Sequence, residues 1–148
     1  MAYWRLHYHL TWATYQREPF LTEALTRQVY GTILNKAKEL GIIVHAMGSV
    51  DDHIHVVASI PPKLAVAECV KQFKGASSHW LNHQPGATGG FGWQDGYGAV
   101  TFGERSMADV VSYVRNQREH HTQTTTRAIF ESIAEQDDGV HVGTGMQV

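Results

Sequence analysis

Two imidazoles, His53 and His55, stand two residues apart inside the run Asp52-His53-Ile54-His55-Val56-Val57-Ala58. In an extended chain, residues two apart share a face, so both rings point the same way, about 6–7 Å apart, while Ile54 and Val56 turn to the core. Parallel imidazoles are half of a metal site. Far along the chain, Tyr113 and Gln117 stand four apart in a helical pattern. Such residues lie about 40° apart around the axis and face nearly the same direction. A tyrosine hydroxyl can act as a nucleophile, and a glutamine carbonyl oxygen is a hard, neutral ligand. Two His and one Gln leave coordination positions open for substrate oxygens. Open, oxygen-rich coordination suits Mg²⁺ or Mn²⁺, while His alone would also suit Zn²⁺. The chemistry that uses such a set is phosphoryl transfer to tyrosine. A cation offsets charge on a phosphodiester, the tyrosine oxygen attacks phosphorus in line, and the covalent phosphotyrosine conserves the bond energy for rejoining strands.

The elements around these residues can be read from periodicity. Tyr3 to Thr14 alternates, with Tyr3, Arg5, His7, His9 and Thr11 on one face and Trp4, Leu6, Tyr8, Leu10 and Trp12 on the other; this predicts a strand with one buried face. Thr22 is placed as an N-cap before Leu25, Val29, Ile33, Ala37 and Leu40 at helical spacing, and Gly41 ends that helix. Ile42 to Val50 and His53 to Ile60 read as a hairpin about Asp51-Asp52, and Pro61-Pro62 stops the second strand. A second helix is expected from about Leu64 to Asn82, then a Gly-rich loop over 85–98 and a short strand from Ala99 to Phe102. Ser106 to Asp109 resembles a capping box, opening a third helix to about His121 with Met107, Val110, Val111 and Val114 inward. A last short helix is expected over Arg127 to Gln136, with a loose tail from Asp137.

The first six elements give an α+β, ferredoxin-like β-α-β-β-α-β order. It predicts an antiparallel sheet, two helices on one face, and a further helix carrying Tyr113. Residues 1–127 are read as one catalytic domain and 128–148 as a helix and tail. The fold alone names no function.

The 148 residues have a net charge of −2, which gives no general nucleic-acid signal. All twelve Lys and Arg and ten of the fourteen acids fall in residues 1–127, a local balance of +2, so nucleic-acid binding needs a focused patch. The single Cys69 excludes an intrachain disulfide and fits a reducing compartment. No apolar run approaches the roughly 18 residues of a membrane span. Arg5, His7 and His9 among the first ten residues are unlike a signal peptide. The expected location is cytoplasmic.

Several stretches together resemble a known family. Asp52-His53-Ile54-His55-Val56-Val57 resembles the His-hydrophobic-His signature of the HUH endonucleases. Tyr113-Val114-Arg115-Asn116-Gln117, with His120-His121 behind it, resembles the single-tyrosine motif of the IS200/IS605-type transposases and of their relatives, the REP-associated tyrosine transposases. His9 to Thr14, Arg17 to Leu21 and Trp93 to Val100 agree as well. The resemblance implies a prokaryotic enzyme with His53, His55 and Gln117 as ligands to Mg²⁺ or Mn²⁺ and Tyr113 as nucleophile. It implies a 5′-phosphotyrosine and a free 3′-hydroxyl on single-stranded DNA bearing small imperfect hairpins. Insertion-sequence members imply a homodimer in which the tyrosine helix of one subunit can complete the other's site, while some REP-associated members are monomers.

For a DNA-binding patch the sequence offers Lys71, Lys74, Arg115 and Arg118, with Arg5 and His7 as weaker candidates. Tyr97 is a competing nucleophile, but its place between two glycines suits a turn. Two other readings compete. A histidine-triad nucleotide hydrolase would need a further His at position 57, which is Val. The other is a domesticated REP-associated hairpin-binding or nicking protein; the intact Tyr113, His53, His55 and Gln117 count against one that only binds.

Overall fold

The computed structural model describes residues 2–134. Strand β1 (His7–Ala13) leads through a 3-10 turn (Tyr15–Arg17) into helix α1 (Glu23–Leu40). Strands β2 (Ile43–Val50) and β3 (His53–Ser59) form the hairpin, and helix α2 (Val66–Asn82) returns to β4 (Gly98–Phe102). A second 3-10 turn (Glu104–Ser106) runs into α3 (Met107–Arg115), followed by α4 (Gln117–Thr122) and α5 (Ala128–Glu131). The sheet order is β2-β3-β1-β4 with antiparallel pairing throughout. This is the α+β order expected from the sequence.

Helix α1 begins where Thr22 accepts a hydrogen bond from the Leu25 amide at 3.3 Å, and ends at Gly41 in the left-handed region at φ 72°. It lays Val29, Ile33 and Ala37 on the sheet beside Cys69, Val70 and Phe73 of α2. Leu10, Trp12, Ile54 and Val56 meet them from the sheet.

The opposite face departs from expectation. It carries His7, His9 and Thr11 of β1 and His53, His55 and Ser59 of β3, and all of these are buried. Helices α3 and α5 cover it with Val110, Tyr113, Val114 and Phe130 packed around Val57 and Ala46. The sheet is therefore enclosed on both sides, and β3 is buried at every position. Alternation reveals that a strand has two unlike faces; it does not reveal that a later helix will cover the polar one.

Smaller differences have local causes. β1 starts at His7 rather than Tyr3 because its partners run out there: His7 pairs with both Ser59 and Phe102, the last residues of β3 and β4. Ser106 makes no side-chain cap, since the 3-10 turn delivers it in a helical conformation (φ −91°, ψ −5°) rather than the extended one that a cap requires. The third helix breaks at Asn116 (φ −103°, ψ 30°), where the Asn116 side-chain amide donates to Ser112 O at 2.9 Å. The last helix is four residues, Ala128–Glu131; the expected tail from Asp137 lies outside the described residues. Among the described residues no helix is long and apolar enough to cross a membrane.

Candidate functional site

Strand β3 presents His53 and His55 to the enclosed polar face, with ring centroids 5.0 Å apart. Neighbouring groups fix how each ring is turned. The His53 Nδ1–H donates to Asp52 Oδ1 at 2.7 Å. His55 Nδ1 shares a 2.8 Å hydrogen bond with His9 Nε2 on the adjacent strand. Both rings thus direct Nε2 to the same place. With the proton on His55 Nδ1, its Nε2 lone pair is available to a cation. Burial pushes the His55 imidazole down, against the pull of Glu131, and burial with the neighbouring His55 holds His9 down at about 3. The His55 and His9 rings are therefore neutral at physiological pH, and for His55 that is the form a metal ligand requires.

Helix α3 brings Tyr113 over His55, ring to ring at 6.2 Å. The approach depends on Gly48 of β2: a Cβ there would lie 1.7 Å from the Val114 carbonyl oxygen. Tyr113 also stacks on His120 at 4.6 Å and packs against Phe130, and the Arg127 guanidinium lies 5.0 Å above its ring. Its hydroxyl accepts from the Arg127 amide at 2.9 Å and donates to Glu131 Oε2. Burial first, and then the bond to Glu131, push that hydroxyl up to about 12.

Gln117 opens α4 across the Asn116 break and is 1% exposed. Its Nε2 donates to Tyr113 O at 3.2 Å, the carbonyl its own backbone amide would have bonded in an unbroken helix. Its Oε1 has no hydrogen-bond partner.

Two further side chains converge here that the sequence reading did not assign. Glu131 Oε1 lies 2.9 Å from His53 Nε2, 3.3 Å from His55 Nε2 and 3.1 Å from His121 Nε2. The His55 contact has the distance of an ion pair without the alignment of a hydrogen bond. Ligand atoms of His53, His55, His121 and Glu131 all fall within 4.8 Å of one another, a spacing that could hold a metal ion. Burial alone would raise the Glu131 carboxyl, but the facing His53 and His55 imidazoles outweigh it and hold the group well below the usual carboxylate range. His121 was visible only as part of a His-His pair behind the tyrosine motif, and Glu131 stood in a segment with no recognisable pattern.

The structure distributes the remaining candidates. Arg115 and Arg118 sit on α3 and α4, and Arg118 pairs with Asp51 at 3.1 Å beside the His53 turn. Lys71 and Lys74 ride on α2, across the sheet from His53 and His55, so the four do not form one patch. Lys74 Nζ donates to Gln94 O at 3.0 Å and Gly96 O at 2.8 Å, binding down the Gly-rich loop. His7 lies at the other end of β1, bonded to Ser59 and Glu104. Tyr97 packs against the α1/α2 core, on the other side of the sheet from His53 and His55.

The chain resembles known proteins along most of its length. Residues 2–117 match the family model described as transposase IS200 like. The chain is similar to the transposase for insertion sequence element IS200 of Salmonella typhimurium, 32% identical over 129 residues, covering 78% of this chain and 79% of that protein. It is also similar to the ISDra2 transposase TnpA of Deinococcus radiodurans, 26% identical over 121 residues, covering 78% of this chain and 86% of that one. In fold it resembles a REP-associated tyrosine transposase solved bound to a REP hairpin, with TM-score 0.62 and 13% identity, covering 82% of this chain and 74% of that one.

Proposed function

The chain belongs to the IS200-like transposase family, and from that premise we propose that it cleaves and rejoins single-stranded DNA through a covalent bond to Tyr113. The observation that carries the reading is convergence: a tyrosine hydroxyl and two strand imidazoles meet the two oxygens of one carboxylate, Glu131.

The donor set fits a divalent cation. His55 Nε2 and Gln117 Oε1 are buried polar atoms without hydrogen-bond partners, and His53 Nε2 is turned to the same place by its bond to Asp52. His53, His55 and Gln117 would hold Mg²⁺ or Mn²⁺, which when bound polarises the scissile phosphodiester and offsets the charge gathering on its oxygens. The rest is done by the chain itself. Tyr113, protonated at neutral pH, is oriented by the Glu131 carboxylate that accepts its hydrogen bond, and it gives up that proton only as its oxygen bonds to phosphorus. The tyrosine oxygen bonds to phosphorus, the bond from phosphorus to the 3′ oxygen breaks, and the proton ends on that departing oxygen. The products are a 5′-phosphotyrosine and a 3′-hydroxyl. Rejoining runs the same steps backwards with a new 3′-hydroxyl.

Tyr113 is 1% exposed beneath residues 127–131, so that segment governs a strand's access to it. Hairpin-bearing ends are the proposed substrate, supported by family membership and by the hairpin in the REP-associated relative. Arg115 and Arg118 are the proposed phosphate contacts near the tyrosine. A homodimer is proposed from the family resemblance, and its solution mass tests it.

The direct test incubates the protein with a labelled hairpin-bearing single strand and Mg²⁺ or Mn²⁺. The wild type forms a denaturation-resistant protein–DNA adduct and Tyr113→Phe forms none. An undiminished adduct with Tyr113→Phe would remove the assignment. Tight hairpin binding by the wild type with no cleavage at any metal concentration would favour a binding-only relative.

A further inference from the structure

We propose that the cation site of this chain extends beyond His53 and His55 to His121 and Glu131, and that Glu131 ties the bound ion to the Tyr113 hydroxyl. The inference rests on the metal-dependent reading above and deepens it. His121 and Glu131 both lie past residue 117, where the match to the family model ends, and the resemblance gives neither of them a role.

Three observations carry it. First, three imidazole Nε2 atoms, from β3 and α4, surround a single carboxylate oxygen at 2.9–3.3 Å. One oxygen among three imidazoles is an arrangement that a divalent ion stabilises better than protons do, since neutral imidazoles are ligands and repel no cation. Second, the carboxylate is held in position by its neighbours. The Arg127 guanidinium pairs with Asp109 at 2.7 and 3.2 Å, Phe130 is buried against Tyr113 and His9, and the Ala134 amide donates to Tyr97 O at 3.3 Å. The segment also lies so close to β4 that a Cβ on Gly98 would come 2.0 Å from Ser132 O. Third, the carboxylate faces two ways. Oε1 meets the imidazoles while Oε2 accepts the Tyr113 hydroxyl. A ligand that bridges ion and nucleophile fixes their separation, which is the quantity that phosphoryl transfer depends on most.

His121 is 32% exposed on its side chain and Glu131 18%, so the site is reachable from solvent on that side, unlike its His55 wall. The set has hard and borderline donors in a mixture that Mn²⁺ accepts readily.

The test uses the full chain without DNA, with Mn²⁺ as probe. Calorimetric titration gives affinity, and pulsed electron paramagnetic resonance counts coordinated imidazole nitrogens. The wild type should show three imidazoles, and His121→Ala two. Glu131→Gln, nearly isosteric and therefore suited to an unchanged fold, should weaken Mn²⁺ binding at least tenfold. Circular dichroism and melting of each variant check the fold. Two imidazoles in the wild type, or a loss under tenfold in Glu131→Gln, overturns the proposal. The paired variant His53→Ala/His55→Ala separates this failure from a deeper one: if it binds Mn²⁺ as the wild type does, the metal reading itself falls.

Discussion

Gly48 offers the sharpest mechanical test, because it has no side chain to take part in the chemistry yet sets where Tyr113 sits. A methyl group there would lie 1.7 Å from Val114 O and 2.8 Å from Val114 C, both backbone atoms of α3. Carbon–oxygen contacts ordinarily stop at about 3.3 Å. Helix α3 must therefore withdraw from β2 by roughly 1.6 Å in Gly48→Ala, the difference between that limit and the 1.7 Å approach. Val114 is the neighbour of Tyr113, so the hydroxyl moves with it. Misplacing a reacting group by about 1 Å can cost ~100-fold in rate. The overpacking itself costs about 1–3 kcal/mol, which lowers the melting temperature by about 2–12 °C in a chain of this size. The assay pairs the rate of tyrosine–DNA adduct formation with a thermal melt of the same preparation. We expect the adduct rate to fall by about 100-fold or more while the protein remains folded at the assay temperature. A rate within threefold of wild type would refute the reasoning, since the nucleophile would then tolerate a displacement the contact makes unavoidable.

Two further predictions concern the other face of the sheet. Gly31, exposed in the middle of α1, has nothing within 4 Å of an added Cβ, so Gly31→Ala should gain about 0.5–1 kcal/mol from helix propensity alone; a lower melting temperature would contradict it. Cys69 is fully buried and its thiol is pushed up to about 12, so at pH 8 only about one thiol in 10⁴ is ionised. It should resist alkylation in the native protein and react promptly in denaturant, and rapid native labelling would show that α2 opens.

The legible parts of this molecule are those where short-range pattern decides. His53 and His55 announced a shared face because strand alternation is local, and their strand is held in that register by pairing on both sides. Tyr113 and Gln117 were read as one turn apart on a single helix; the Asn116 break puts them on two helices, with the Gln117 side chain replacing the lost backbone bond. What the sequence withheld was set by long-range packing. Lys74 is a basic residue on a helix flank, which is where a phosphate contact would be sought, yet two carbonyls of a distant loop take up its ammonium. Glu131 contributes to the site only because Phe130 finds a seat against Tyr113 and His9, a contact no periodicity encodes.

The polar face of the sheet makes little sense as a scaffold. Burying a polar atom without a partner costs about 1–3 kcal/mol, and an apolar replacement of similar volume is often as stable or more so. Among the described residues, five buried side-chain polar atoms lack hydrogen-bond partners, and two of them, His55 Nε2 and Gln117 Oε1, are acceptors on the proposed ligands. Around them three imidazoles face a single carboxylate oxygen. A fold selected for stability alone would have filled this layer with the aliphatic residues it uses on the opposite face, where Ile54 and Val56 alternate with the two histidines along the same strand. The unsatisfied acceptors are what a bound cation would relieve, and their concentration beneath one tyrosine is the physical reason to place the chemistry there.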